Sequence, residues 1–186
     1  MTAAARHAPA QPPSATTIRR LGPNEAAASV GALADVLIDC VHGGASVSFM
    51  APLPRDKALA FWRNVADGVA RNERVLLVAE DASGAIVGTV QLITAMPDNQ
   101  PHRADVAKML VHRRARRQGI AQQLMAAVDN AALEERKTVL VLDTVTGGDA
   151  ERLYERAGWQ RVGVVPDYAL MPDGALCGTT FFCKRV

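Results

Sequence analysis

Aromatic residues are scarce in this chain: two tryptophans, two tyrosines and four phenylalanines make up 4% of its 186 residues. A protein that grips single-stranded nucleic acid needs rings interleaved with its cations as stacking platforms, and none is interleaved with the arginines between His112 and Arg117. Cysteine is scarcer still. Cys40, Cys177 and Cys183 are an odd number without a Cys-x-x-Cys pair, so neither a disulfide framework nor a zinc site is expected, and a reducing cytoplasm suits three apolar thiols. No metal is expected. No apolar run approaches the ~18 residues that span a bilayer, so no membrane association is expected. Gly-Lys-Ser/Thr, Gly-x-Gly-x-x-Gly and Gly-x-Ser-x-Gly are all missing. Their absence excludes a Walker loop, a dinucleotide fingerprint and a serine elbow. Residues 1–15 hold Arg6 and no acid, but Pro9, Pro12 and Pro13 oppose a transit helix and there is no apolar signal core. They read as a disordered tail ahead of one domain, residues 16–186.

What is present is ordinary globular material: 49% hydrophobic and 22% charged residues, a net charge of +2 and a pI near 8.6. A charge this mild implies no polyanion partner by itself. Hydrophobic period and turn chemistry predict a strand over 16–21, a helix capped by Asn24 and running to about His42, and a second helix over 54–72. A hairpin follows, with strands 74–80 and 85–94 around Asp81-Ala82-Ser83-Gly84. Then come a strand over 104–111, a long helix from Ile120, a strand over 138–145, a short helix over 149–157, a strand over 159–165, a connection over 166–176 and a closing strand over 177–184. The order is β-α-α-β-β-β-α-β-α-β-β, an α/β (α+β) chain.

The stretch that organises the rest is the passage from strand to long helix. His112 to Arg117 contains four arginines and no acid, and Gly119 precedes the helix. A helix start leaves backbone N–H groups unpaired at the positive end of the macrodipole, and flanking guanidinium groups add charge. That combination suits a phosphate-bearing ligand.

Arg116, Gly119 and Ala121 fit the spacing Gln/Arg-x-x-Gly-x-Gly/Ala. The segment resembles the pyrophosphate turn of the GNAT (GCN5-related) N-acetyltransferases. Ala150-x-x-Leu153-Tyr154-x-x-x-Gly158-Trp159 resembles a second signature of that family, with Gly147 standing where many relatives have asparagine. The resemblance implies a mixed, mostly antiparallel sheet of about seven strands with helices on both faces, two central strands splayed at one end, and acetyl-CoA as cosubstrate. It implies that Met109, Leu110, Val111, Arg116, Arg117, Gln118, Gly119, Ile120, Ala121 and Gln122 hold the coenzyme. It also implies that Tyr154 lies beside the coenzyme sulfur, where a phenol with a pKa of ~10 can hydrogen-bond a departing thiolate.

An attacking amine must be neutral, so a carboxylate near the acetyl group is needed as a base. Asp143, at the end of a central strand, and Asp105, at the start of the strand leading into the turn, are the two candidates. A backbone N–H near Leu110 suits the oxyanion. The charge-free segment 41–50, with His42, Ser46 and Phe49, reads either as a substrate wall or as a connection folded onto the core. With Leu142-Asp143-Thr144 and Tyr168 through Pro172-Asp173-Gly174, it is similar to the tabtoxin-resistance acetyltransferases, which acetylate an amino-acid-like β-lactam toxin; there an acid at 105, Asp143 and Tyr154 are implicated in catalysis, and His42, Ser46, Phe49 and Tyr168 become substrate contacts. Asp105 is one methylene shorter than the glutamate of those relatives. The expectation is a small-molecule amine as partner, with neither nucleic acid nor membrane, in a protein that can form a homodimer. The alternative is a non-catalytic CoA- or RNA-binding module built on the basic turn from Arg113 to Arg117.

Overall fold

The computed structural model describes residues 16–186; the expected tail, residues 1–15, lies outside the described residues. Seven strands, β1 (Thr17–Arg20), β2 (Arg74–Glu80), β3 (Ile86–Ile93), β4 (Arg103–Val111), β5 (Val139–Val145), β6 (Gln160–Leu170) and β7 (Leu176–Arg185), form one sheet in the order β1-β2-β3-β4-β5-β7-β6. Only β4 and β5 run parallel among these strands. Helices α1 (Pro23–Ala28), α2 (Val30–His42) and α3 (Arg55–Ala70) cover one face, and α4 (Ile120–Glu134) and α5 (Asp149–Arg156) the other. The expected mixed, mostly antiparallel architecture is what forms.

The two cores follow from the period of two in a strand. Along β2, Val75, Leu77 and Ala79 join the α4–α5 core, whereas Leu76 and Val78 join the α1–α3 core. A central strand buried on both faces reads as a continuous apolar run, as this one does. Trp62, fully buried on α3, fills the middle of the second core and stacks edge-on to Phe61 at 5.1 Å.

Three boundaries differ from the sequence expectation. The first helix breaks at Ser29, next to Gly31, a small-residue combination that lets helices bend. Its N-cap is Gly22, whose N–H donates to Glu25 Oε2 at 2.8 Å, and not Asn24. The segment expected as a connection over 166–176 is mostly strand: β6 continues through Pro166 to Leu170. A register shift between Val165 and Ala169 absorbs the proline, and β6 is the last strand of the sheet, where a missing N–H breaks no ladder.

One buried cation holds the β3–β4 connection. Lys137, 8% exposed, donates to the carbonyls of Thr94 at 3.0 Å and Pro101 at 2.8 Å. Lys137→Met keeps the stem and leaves both carbonyls unpaired. It should lower unfolding free energy by about 1–3 kcal/mol, read from the urea midpoint at unchanged m-value.

The feature that positions the site is where β4 and β5 part. Their pairing extends only from Arg103↔Val139 to Asp105↔Val141; beyond it, each strand runs on without the other. Across β4, Ala107 pairs with Gln91 and Leu110 with Thr89, so Val90 alone stands against Lys108 and Met109. This bulge puts Lys108 at φ 52 and re-aims the strand beside the gap.

Candidate active site

At the mouth of the gap, a 3₁₀ turn (Arg113–Ala115) delivers the chain to Gly119, which holds φ 76 as the N-cap of α4. The first helical bond here is Gln123 N–H to Gly119 O at 3.1 Å, and Arg116 N–H closes the preceding turn onto Arg113 O. Among the described residues, the N–H groups of the six residues from Arg117 to Gln122 find no protein acceptor. A pocket of about 230 Å³ opens over them, walled by Arg116, Arg117, Gly119 and Ala121 on one side and by Leu153 and Arg156 of α5 on the other.

The arginines divide into two groups. Arg113 is held by Asp39, through its N–H at 2.8 Å and Nε at 2.9 Å, and Arg114 lies 3.5 Å from Asp81. Burial alone would raise the Asp39 carboxyl, but the hydrogen bonds from Arg113, with the His112 and Arg113 charges, bring it below its ordinary range. Arg116 Nε donates to Val111 O at 3.2 Å and its side chain also reaches Cys40, while the residue lines the pocket. Arg117 and Arg156 line the same pocket without an ion-pair partner among the described residues. The basic run is therefore half neutralised by structural acids. Its remaining charge converges on one concave corner, where a compact diphosphate fits better than an extended polyanion.

Of the residues expected at the coenzyme, Arg116, Arg117, Gly119, Ile120, Ala121, Gln122 and Val111 line this pocket. Gln118 contributes an unpaired N–H. Leu110 has its side chain in the α1–α3 core and Met109 packs against the other, so both face the gap only through backbone. Leu153 and Arg156 were not legible as site residues, since only the docking of α5 beside α4 brings them there.

On the α4–α5 side of the sheet, Tyr154 is buried among Trp159 and Phe182, at 6.2 and 5.8 Å between ring centroids. Burial, and then the Asp143 charge, push its phenol well above the ordinary tyrosine value. It is a neutral hydrogen-bond donor at any working pH. Asp143 pairs with Phe181 across β5–β7 and alternates with Leu140 and Leu142, which puts it on the α1–α3 face. Asp105 alternates with Ala104 and Val106 and shares that face. Burial raises the Asp143 carboxyl above its usual range; Lys108 counters this in part and Asp105 reinforces it. Asp105 is engaged by Arg103, whose Nε is itself held by Gln100 at 2.7 Å. Among the described residues no side chain donates to Asp143, in contrast to Asp105.

The segment after α2 forms the far wall. Leu53 N–H donates to His42 Nε2 at 3.2 Å, Ser46 Oγ donates to Leu170 O at 2.9 Å, and Ala51 N–H donates to Pro172 O at 2.9 Å. The loop is thus clasped between α2 and the β6–β7 hairpin, with His42 and Ser46 serving as ties. Phe49 lies edge-on to Phe61 at 5.3 Å, and Tyr168 edge-on to Phe181 at 5.7 Å. Among the described residues no group of three or more His, Cys, Asp or Glu could hold a metal ion.

Residues 72–161 match the acetyltransferase (GNAT) domain family. An uncharacterised N-acetyltransferase from the hisH–hisA intergenic region of Azospirillum brasilense is 32% identical over 113 residues, a match spanning 60% of this chain and 65% of that one. YncA of Salmonella typhimurium, solved with its cofactor acetyl-CoA, superposes with a TM-score of 0.73 at 19% identity, over 91% of this chain and 93% of that one. A ribosomal-protein-alanine N-acetyltransferase from Brucella melitensis gives 0.75 at 22% identity, over 91% and 99%. The fold is that of the GNAT acetyltransferases.

Proposed function

We propose that this protein is an acetyl-CoA-dependent N-acetyltransferase that moves the acetyl group directly onto the amine of a small molecule. The observation that carries the reading is the row of N–H groups from Arg117 to Gln122 without a partner among the described residues, beside the gap between β4 and β5; the Asp143 charge reaches Tyr154. The residues present fit the coenzyme: N–H groups and Arg116, Arg117 and Arg156 suit its phosphates, and the edge of β4 beyond Asp105, unpaired on its β5 side, suits an extended amide-bearing arm. Bound there, acetyl-CoA supplies an activated acetyl group as a thioester.

Asp143 takes the proton from an incoming ammonium, and its raised pKa makes it a stronger base than an exposed aspartate. Backbone N–H groups near the β4 bulge face the gap and can stabilise an oxyanion without any side chain. Tyr154 keeps its proton and donates a hydrogen bond to the sulfur as it leaves. No cysteine takes part: Cys40 is buried with its thiol donating to Val111 O, and Cys177 and Cys183 lie on β7.

A finer version, the acetylation of an amino-acid-like toxin, is suggested by the similarity of residues 41–47, 142–144 and 168–174 to the tabtoxin-resistance enzymes. Three unpaired cysteines accord with a reducing cytoplasm.

The test is twofold. Acetyl-CoA at a hundred times its dissociation constant should stabilise the protein by about 2.7 kcal/mol, and RNA should not. Thiol release should then follow addition of an amine from a panel of amino acids, polyamines, aminoglycosides and β-lactam amino acids. Binding without release on any amine would identify a non-catalytic coenzyme module.

Asp143→Asn should slow turnover at neutral pH by about 10²-fold. In the parent protein kcat/KM should fall as pH drops through a value above the ordinary aspartate pKa of 3.8, because the raised group is protonated first. The variant should lose that acidic limb, and an identical pH profile in both would remove Asp143 from the proton transfer.

A further inference from the structure

Three lysines are buried or half-buried, and two of them are fully engaged. Lys137 donates to two carbonyls, and Lys184 to Asp129 Oδ2 at 2.6 Å and Ala157 O at 2.8 Å. Lys108 differs. Its ammonium makes one hydrogen bond, to Ser48 Oγ at 3.1 Å, and rests 5.8 Å from the Phe61 ring centre. Among the described residues no carboxylate lies within ion-pair distance of it; Asp143 acts on it only at longer range. An ammonium has three donors, so two of them remain for something that enters the gap.

The backbone reinforces this. Lys108 and Ser48 both hold positive φ, 52 and 75, a conformation that side-chain-bearing residues adopt only when their surroundings enforce it. The β4 bulge produces the first and the clasped loop the second, and together they bring a cation and a hydroxyl to one point. That point lies on the acceptor face of the sheet, which also carries Asp105 and Asp143. It lies away from the phosphate corner at the start of α4, so a coenzyme phosphate is not its occupant.

We propose that Lys108 and Ser48 receive a carboxylate borne by the acceptor, so that the preferred substrates are amines that also carry a carboxylate. This rests on the N-acetyltransferase reading. The acceptor spans the cleft with its nitrogen toward Asp143 and its carboxylate toward Lys108, while Phe49 and Phe61 cover the apolar part between. Lys108 is then a specificity-determining residue that touches substrate, not a proton carrier.

The test uses matched pairs, each amino acid against its primary amide, with wild type, Lys108→Met and Lys108→Arg. Amides have the less basic amine, which is more often neutral, so any bias runs against the proposal. Wild type should prefer the acids by roughly 10- to 100-fold in kcat/KM, mostly through KM. Lys108→Met should bring the ratio near one with the KM for acetyl-CoA unchanged, and Lys108→Arg should restore most of the preference. Equal use of acids and amides by wild type would overturn the proposal. So would a Lys108→Met variant that loses kcat equally on both with a shifted pH profile, since Lys108 would then act through Asp143. Failure of the parent reading looks different: no thiol is released with any amine. Calorimetry of the CoA-loaded protein with N-acetyl amino acids decides the matter even then, because binding to wild type but not to Lys108→Met supports the anion site and equal binding refutes it.

Discussion

Tyr154→Phe should acetylate its substrate roughly 10²- to 10⁴-fold more slowly than the parent protein while binding acetyl-CoA as tightly. The substitution removes one oxygen and keeps the ring, so the packing against Trp159 and Phe182 survives and the fold has little reason to change. What disappears is a donor that two effects keep protonated. Burial keeps the phenol protonated, and Asp143 across the gap makes ionisation harder still. Such a group cannot serve as a base near neutrality, but it can hydrogen-bond a thiolate in a site poor in water, where that bond is worth more than at the surface. The same logic supplies a control that structural damage would not mimic. With an acetyl thioester of a more acidic thiol, the sulfur leaves with less help, and the ratio of wild-type to Tyr154→Phe rates should shrink. A ratio that stays constant across thiols, or full activity of the variant, would put the phenol outside the chemistry.

Much of this arrangement was readable before the fold was known, and the parts that were not share a cause. The turn at Arg116-x-x-Gly119-x-Ala121 is a local device: strand, turn and helix are contiguous, so spacing alone places the donors. The β-α-β order around α4 likewise dictates which strands are parallel. Arg156 could not be found this way, because its place at the phosphate corner depends on α5 docking beside the start of α4. Nothing in the sequence singles out Lys108; the bulge opposite Val90 is what brings it to Ser48. Asp105 and Asp143 were equivalent in sequence and become distinct only once Arg103 engages the first. His42 and Ser46 were expected at the substrate, and the structure shows them tying the loop, with bonds to Leu53 N–H and Leu170 O. Polar residues in a charge-free loop have to satisfy the loop's own backbone before they can recognise anything else. Pro166 misled for a related reason: its breaking power depends on whether the strand is an edge, and that is a property of the whole sheet.

Gly119→Val should weaken acetyl-CoA binding by at least roughly 10³-fold while leaving the protein folded. Two local facts separate these effects. Gly119 sits at φ 76, where a β-branched residue costs about 1–2 kcal/mol, so some loss of melting temperature is expected. A Cβ built there, however, meets nothing nearer than Gln123 Nε2 at 4.0 Å, so the first added carbon enters open space. The space it enters is the pocket itself, directly over the N–H groups of Ile120 to Gln122. A diphosphate needs contact with those donors at hydrogen-bond distance, and two methyl groups standing in front of them prevent it. Arg117→Ala offers the informative contrast, because it removes a charge without filling the corner. Its effect should be several-fold and should fade as salt screens it, whereas the valine defect should persist at all ionic strengths. Calorimetry on both variants at low and high salt separates recognition by shaped backbone from attraction by a basic surface. If Gly119→Val retained the parent affinity, the corner at the start of α4 would be an arginine-lined depression and the coenzyme would have to bind elsewhere.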